Sequence, residues 1–352
     1  MADTIKCPNC SANLRFDADS QRLICDFCGG VFFPSDIKED LEETKDEAER
    51  NDGTVDGEGL REFVCNACGA RVVTDENTSA SFCAFCGSPA LIGQRLTNEF
   101  RPKYIIPFKY GREKAVDKFF EWCKGGRYTP MGFISDKNVE KLTGLYVPFW
   151  LFNVDERMDI KGKGITVNST NLGTRTRTVT SYYDLVRSGL YSWRKIPLDG
   201  ETKIDDDLME AIEPFEYNEL IDYDFKYLPG FFADTYDLDD KKLHPRIINR
   251  TKGYLKEEFD LTVKKFDRVY ELKDTSKFEK IEAELALLPV WFLSYRYLGK
   301  TYNFAMNGQT GEVAGKAPVS VVKRFILFFL ILAVLAVVTK IIVGLMLGGY
   351  VG

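Results

Sequence analysis

Eight of the nine cysteines in this 352-residue chain fall into four Cys-x-x-Cys pairs, and no other feature narrows the possible folds so far. The first set is Cys7/Cys10 with Cys25/Cys28, and the second is Cys65/Cys68 with Cys83/Cys86. In each set 14 residues separate the pairs, and each set closes on Cys-x-Phe-Cys-Gly. The chain therefore carries an internal repeat. Two intervening residues let both sulfurs of a pair face one ion from a tight turn. Gly29, Gly69 and Gly87 follow their pairs where a positive φ is commonly required. The gap holds a short hairpin that brings the second turn opposite the first, for tetrahedral S₄ coordination at ~2.3 Å. Modules this small lack a sufficient core, so metal supplies on the order of 10 kcal/mol of their folding energy. The expectation is two structural Zn²⁺ ions, one per four-cysteine set. With every position filled by thiolate, neither ion has room for substrate. The competing reading is redox chemistry or an iron–sulfur cluster. A thioredoxin-like pair, however, sits once at a helix start in a βαβ setting, which this pattern lacks.

The opening M-A-D-T-I-K-C-P-N-C has no apolar leader core, which places the cysteines in a reducing cytosol where such pairs hold metal. Cys123 is left over. It lies in 112–123, where Ala115, Val116, Phe119, Phe120 and Cys123 recur at helical spacing, and reads as a small buried residue of an amphipathic helix.

Residues 325–349 are apolar on all sides of a helix. At ~1.5 Å per residue the run crosses a ~30 Å hydrocarbon core with some tilt. Lys323 and Arg324 precede it, Lys316 is nearby, and no base follows Lys340, so the N-terminal bulk is expected in the cytoplasm. Lys340 interrupts the run at a cost of ~2.5–3.5 kcal/mol at mid-bilayer, less if its stem reaches the far interface. Ala336, Lys340, Gly344 and Gly348 recur every four residues. This small-residue stripe suits close approach of a second membrane helix.

The order of segments is then zinc ribbon 1 (1–37), an acidic tether (38–62), zinc ribbon 2 (63–97), an α+β cytoplasmic body (98–318) and a transmembrane helix (321–349). The tether allows the ribbons to move independently. The fold class is α+β: two small β ribbons, a mixed body rich in antiparallel hairpins, and one terminal helix. Within the body, 104–108, 145–152, 287–295 and 302–306 read as strands, and 205–215 and 251–282 as partly helical. The alternation of Arg175 and Arg177 with Thr174, Thr176, Thr178 and Thr180 reads as an exposed hairpin. The Pro-Phe-Trp and Pro-Val-Trp strands, each followed by a glycine-punctuated hairpin, suggest two related halves.

The body shows no phosphate loop and no nucleophile signature. Asp205-Asp206-Asp207 and Asp239-Asp240 read as solvated acidic turns. The single histidine, His244, reads as a surface residue. No catalytic residue and no bound organic cofactor is expected. The leading expectation is a non-enzymatic, membrane-anchored adaptor. The second is membrane-tethered nucleic-acid binding linked to replication or transcription. It rests on Arg95, Arg101, Lys103, Lys109, Arg112, Lys114 and Lys118, with Phe100, Tyr104, Phe108 and Tyr110 interleaved. The net charge of −6, from 47 bases and 53 acids, weighs against it.

The tandem four-cysteine sets, Y-I-I-P-F, Y-V-P-F-W-L-F, L-P-V-W-F-L and Y-N-F-A-M-N-G-Q-T-G before a terminal apolar helix resemble a bacterial family of zinc-ribbon membrane proteins, the YdjG type. Its members often carry TFIIB-type zinc-ribbon or PriA-like labels. This chain lacks the helicase's ATP-binding loop, so the enzymatic label does not transfer. The resemblance covers most of the chain. It implies metal ligands at Cys7, Cys10, Cys25, Cys28, Cys65, Cys68, Cys83 and Cys86, and an envelope-stress membrane complex with SPFH-domain and phage-shock protein A-like partners.

Overall fold

The computed structural model describes residues 5–37, 60–65, 70–75, 91–95, 102–126, 129–130, 139, 141–297 and 300–348. The acidic tether up to 59, Cys68, Cys83, Cys86, Phe100, Arg101 and Gly299 lie outside them. Strands β1 (Leu14–Asp17), β2 (Arg22–Cys25) and β3 (Val31–Phe32) form a small antiparallel sheet. All later strands join one 12-stranded sheet. In chain order these are β4 (Leu60–Cys65), β5 (Arg71–Asp75), β6 (Leu91–Arg95) and β7 (Tyr104–Ile105), followed by helix α1 (Arg112–Gly125). Next come β8 (Thr143–Asn171), β9 (Thr176–Asp199), α2 (Asp206–Ala211), β10 (Ile221–Asp222), β11 (Phe232–Asp234) and α3 (Asp240–Val263). The chain ends with β12 (Arg268–Asp274), β13 (Lys277–Tyr297), β14 (Lys300–Asn307), β15 (Val313–Gly315) and α4 (Val321–Gly348). The architecture is mixed α+β, as expected.

The centre of the sheet is the antiparallel pairing of β8 with β13, where Val147 faces Leu288, Pro148 faces Leu287 and Pro289 faces Tyr146. About that centre the body is duplicated. Phe232 of β11 lies parallel to β8 opposite Leu145, and Tyr104 of β7 lies parallel to β13 opposite Ala286. Each short strand leads to a helix that begins eight residues after the strand does, 104 to 112 and 232 to 240. Each long strand is then followed by an antiparallel partner, β9 or β14, that ends one residue beyond the proline. Asp199 stands opposite Phe149, and Asn307 opposite Val290.

The hydrogen bonds at these two ends repeat atom for atom. Gly200 N–H donates to the Pro148 carbonyl at 2.9 Å, and Gly308 N–H to the Pro289 carbonyl at 2.8 Å. The Gly200 carbonyl accepts from Asp237 and Leu238, and the Gly308 carbonyl from Lys109 and Tyr110. The Trp150 indole donates to the Leu238 carbonyl at 2.9 Å, and the Trp291 indole to the Tyr110 carbonyl at 2.8 Å. A mid-strand proline removes a ladder donor. Here the facing strand ends at that point and a glycine turn replaces it. The Pro-x-Trp signature is thus the sequence mark of a strand that anchors the segment leading into a helix.

Helix α3 lies along the β8–β9 ribbon. Its buried residues Leu243, Ile247, Thr251, Leu255, Phe259 and Val263 recur every four positions, a row that slants across the helix axis. The Thr251 hydroxyl is satisfied by the Ile247 carbonyl at 3.1 Å. Both acidic runs open helices instead of lying free as turns. Asp205 accepts from Asp207 N–H and Asp239 from Lys242 N–H, as capping residues do. The helical expectation for 251–282 holds only to Val263. Residues 268–274 and 277–282 are strand, because β12 and β13 extend the sheet along β8. His244 is half-buried, with its ring edge-on to Phe152.

The first cysteine module does not swing on a tether. Phe16 N–H donates to the Pro229 carbonyl at 2.9 Å, and Gln21 Nε2 to the Phe108 carbonyl at 2.6 Å. Asp19 accepts from Gly111 N–H at the start of α1 and pairs with Lys114 at 2.6 Å. The Phe16 ring meets Tyr227 edge-on, and Leu14, Phe16 and Leu23 share one core with Phe108, Phe119 and Tyr146. The second module's β5 pairs with β11 through Val73/Ala233 and Val72/Asp234. Because Phe16 is only 2% exposed, Phe16→Ala is expected to destabilise the chain by about 3–5 kcal/mol. Phe27→Ala, at 83% exposure, is expected to stay within about 0.5 kcal/mol. Thermal unfolding of the two variants in detergent makes the comparison.

Candidate metal centre

The local fold brings four thiols together from two turns. Cys7 N–H bonds to the Ala12 carbonyl at 2.7 Å, and Cys25 N–H to the Gly30 carbonyl at 2.8 Å, closing a tight loop at each pair. Gly29 adopts φ +71°, the left-handed conformation that glycine reaches at no steric cost. The antiparallel β1–β2 pairing then sets one turn against the other. The four Sγ atoms lie within 4.8 Å of one another, with Cys7 to Cys28 and Cys10 to Cys25 each at 3.5 Å. A tetrahedral S₄ shell at the zinc–thiolate distance needs sulfurs roughly 3.8 Å apart. The residues fit a metal of that size.

Backbone amides prepare the sulfurs for charge. The amides of Cys28 and Phe27 hold the Cys25 thiol down to about 7. Ala12 N–H favours thiolate at Cys10, but burial and three sulfur neighbours push that thiol up to about 12. Four adjacent thiolates repel one another, and a divalent cation at their centre removes the conflict. Cys123 is fully buried on α1, and burial alone pushes its thiol up to about 12. It packs and does not react.

Of the second set, Cys65 is described. It is buried at the end of β4, and its N–H bonds to the Ala70 carbonyl at 2.8 Å. That is the same closure five residues on that Cys7 and Cys25 make. Cys68, Cys83 and Cys86 lie outside the described residues, so one four-cysteine cluster stands among those described.

The basic run that favoured nucleic acid is engaged within the protein. Lys103 pairs with Glu284, Lys109 with Glu219, Lys114 with Asp19 and Lys118 with Glu121. Arg112 donates to the Leu142 and Val139 carbonyls. Phe108 is fully buried, stacked on Phe231 at 4.2 Å. Arg95 ends β6.

Ser320 immediately precedes helix α4; its Oγ accepts from Lys323 N–H at 3.3 Å, and Lys323 Nζ donates to the Thr129 carbonyl at 2.7 Å. The stretch Val322–Lys340 is long and apolar enough to cross a membrane, and none of it is buried against the body. Lys340 is exposed on this helix, and Gly344 and Gly348 lie on its last turns.

Two further polar sites come from the duplicated turns, Asp199-Gly200-Glu201-Thr202 and Asn307-Gly308-Gln309-Thr310. They align residue for residue in the sequence, acid against amide, a match that composition and periodicity do not bring out. Asn307 is fully satisfied. Its Nδ2 donates to the Ile212 and Pro214 carbonyls, and its Oδ1 accepts from the Gln309 and Thr310 amides. Gln309 likewise holds Glu216 through both backbone groups and Glu219 through its carboxylate. The acidic copy is not satisfied. Asp199 contacts Arg246 at 3.1 Å, and Glu201 contacts Lys203 at 2.9 Å. Asp199 Oδ2 and the adjoining Asp234 Oδ2 are buried without a hydrogen-bond partner. Burial pushes Asp199 up to about 7 against the pull of Arg246, and raises Glu201. Burial and the neighbouring Glu201 charge raise Asp234 well above the carboxylate range.

Fold and site define a class: a four-cysteine metal module built into a duplicated α+β body that ends in one apolar helix of membrane-spanning length. The chain is 33% identical over 320 residues to the uncharacterized protein YdjG of Bacillus subtilis (strain 168), covering 91% of each chain, and it belongs to the family of that protein. No family model matches the chain. No solved structure matches it either.

Cys10→Ser is expected to lose one metal equivalent per chain by elemental analysis, whereas Cys123→Ser retains all of it. For the acidic turn the sign follows from the raised folded value. Asp199 is protonated more readily when folded than at its ordinary value of 3.8. Its contribution is therefore complete below about pH 4 and lost as pH rises through about 7. Asp199→Asn, which copies Asn307, is expected to flatten the fall in melting temperature across that window. Comparing the two proteins at each pH cancels the metal site's own pH dependence.

Proposed function

We propose that the chain is a non-enzymatic, zinc-stabilised adaptor held on the cytoplasmic face of the cell membrane by α4. The observation that carries this reading is the apolar helix with no part buried against its own body. A helix of this length and composition needs lipid or other helices around it. Zinc is the metal that four thiolates at this spacing select, as a closed structural site. The Cys65 turn, closed like its two counterparts, supports a second such site completed by Cys68, Cys83 and Cys86. The bases before the helix support a single-pass orientation with the N-terminal bulk inside.

The partners are proteins. SPFH-domain and phage-shock protein A-like partners in a membrane stress-response complex follow from the family resemblance described above. Lys340, Gly344 and Gly348 offer a stripe for a second membrane helix, with an acidic group opposite Lys340. The nucleic-acid reading is the less favoured one, since five bases of its seven-residue cluster have partners within the chain.

Crosslinking with mass spectrometry in native membranes is expected to recover specific proteins on the body and beside α4. Changing both Lys340 and Gly344 to leucine is expected to abolish the helix-borne contacts while sparing those on the body. A crosslink map free of partner proteins would remove the adaptor reading.

A further inference from the structure

Strand β9 is an edge. Among the described residues β8 is its only strand neighbour, so its other side has no strand partner, although side chains reach the Val186, Trp193 and Pro197 carbonyls. Natural sheets blunt such edges with short strands, prolines or charges. β9 is long, has no proline before Pro197, and carries no charge from Thr178 to Tyr183. Its far end stands clear of the body. The β12 pairing with β8 stops at Ile165, and six further β8–β9 pairs run from Thr166/Ser181 to Asn171/Thr176. At roughly 3.3 Å per residue that is about 20 Å of bare two-stranded ribbon. All ten residues 171–180 are exposed.

Two properties of the edge describe what fits it. Tyr182, Val186 and Leu190 lie on one face of β9, each more than half exposed, while α3 covers the other face around Leu185. Between 175 and 195 there are five bases and one acid, Asp184, and from 162 to 183 there is no acid at all. Arg194 is paired with Asp155 and Arg187 rests on Thr262. The side chains of Arg175 and Arg177 are exposed and have no partner among the described residues.

The sheet's direction sets this tip at the end away from where the chain enters its membrane helix. β15 pairs Gly315 with Phe304, and the chain leaves toward the β13–β14 tip. The β8–β9 tip lies at the other end of the β8–β13 pairing. A second copy would bring the same five bases and meet them with like charge.

We propose that the open edge of β9 takes up an extended, acidic segment of a partner protein as an added strand. Main-chain hydrogen bonds hold the segment, alternate side chains rest on Tyr182, Val186 and Leu190, and its acids meet Arg175 and Arg177. The proposal rests on the adaptor reading and gives that adaptor a docking edge far from the membrane helix.

The test uses the full chain in a lipid nanodisc and a labelled peptide of alternating valine and glutamate, with a valine–lysine peptide as control. Fluorescence anisotropy is expected to show binding of the glutamate peptide alone. Carbon-13 carbonyl labels in the peptide are expected to give the infrared signature of strand pairing. Arg175→Glu with Arg177→Glu is expected to weaken binding about tenfold and to shift preference to the lysine peptide. Three results would each overturn the proposal: no binding or equal binding of the two peptides, indifference to charge reversal, or a wild-type dimer whose β9 amides are protected from exchange. Protein crosslinks in native membranes that avoid β9 would remove this edge and leave the adaptor reading standing.

Discussion

The antiparallel crossing of β8 and β13 at Val147 and Leu288 is the contact on which the rest of the body depends. Everything else is placed by reference to it. β11 and β7 lie beside the two long strands at equivalent positions, and β9 and β14 end at equivalent prolines. Each tryptophan then fixes the carbonyl just before a helix cap through its indole N–H. Buried backbone groups need partners. The glycine turns supply those partners where the prolines interrupt the ladder, and a symmetric pair of half-domains results.

The two copies have diverged where their turns meet the body. Asn307 and Gln309 supply both donors and acceptors, so the second turn locks the segment 212–219 in place. When ionised, Asp199 and Glu201 can only accept, and protonation is what gives either a donor. Their environment is too buried to hold several negative charges, even with Arg246 and Lys203 present. One copy is a permanent fastening, and the other is conditional on protons. The conditional copy adjoins Asp234 of β11, whose neighbour Val72 belongs to the second cysteine module.

How much of this was legible in the sequence depended on whether the signal was local. Cysteine spacing identified the first cluster, because two tight turns and a hairpin determine where four sulfurs go. The apolar terminal helix and the Thr-Arg hairpin were equally local. The strand character of 268–282 was not, because Lys277, Glu279 and Glu282 alternate as readily on a helix face as on an open sheet. Only pairing with β8 decides it. The basic run at 103–118 looked like a surface for phosphates, yet its partners Glu284, Glu219 and Asp19 lie far along the chain and do not show in the local pattern. The suggestion of two halves came from Pro-x-Trp alone, whereas the aligned D-G-E-T and N-G-Q-T turns become informative once both are seen to close on a proline carbonyl.

Docking of the first cysteine module changes what a metal held there would do for the protein. A tethered ribbon would draw its stability from metal and leave the body indifferent. Here Leu14, Phe16 and Leu23 belong to the same core as Phe108, Tyr146 and Phe231, and Asp19 caps the first turn of α1. Free energy from closing four thiolates around an ion would therefore pass into the body through a shared apolar contact and a shared helix terminus. The described part of the second module meets the body through two register pairs between β5 and β11, and its Cys65, Ala70 and Val72 share a core with Leu145, Val147 and Phe149. Among the described residues both modules thus share apolar core with the body, the first beside α1 and the second beside β11.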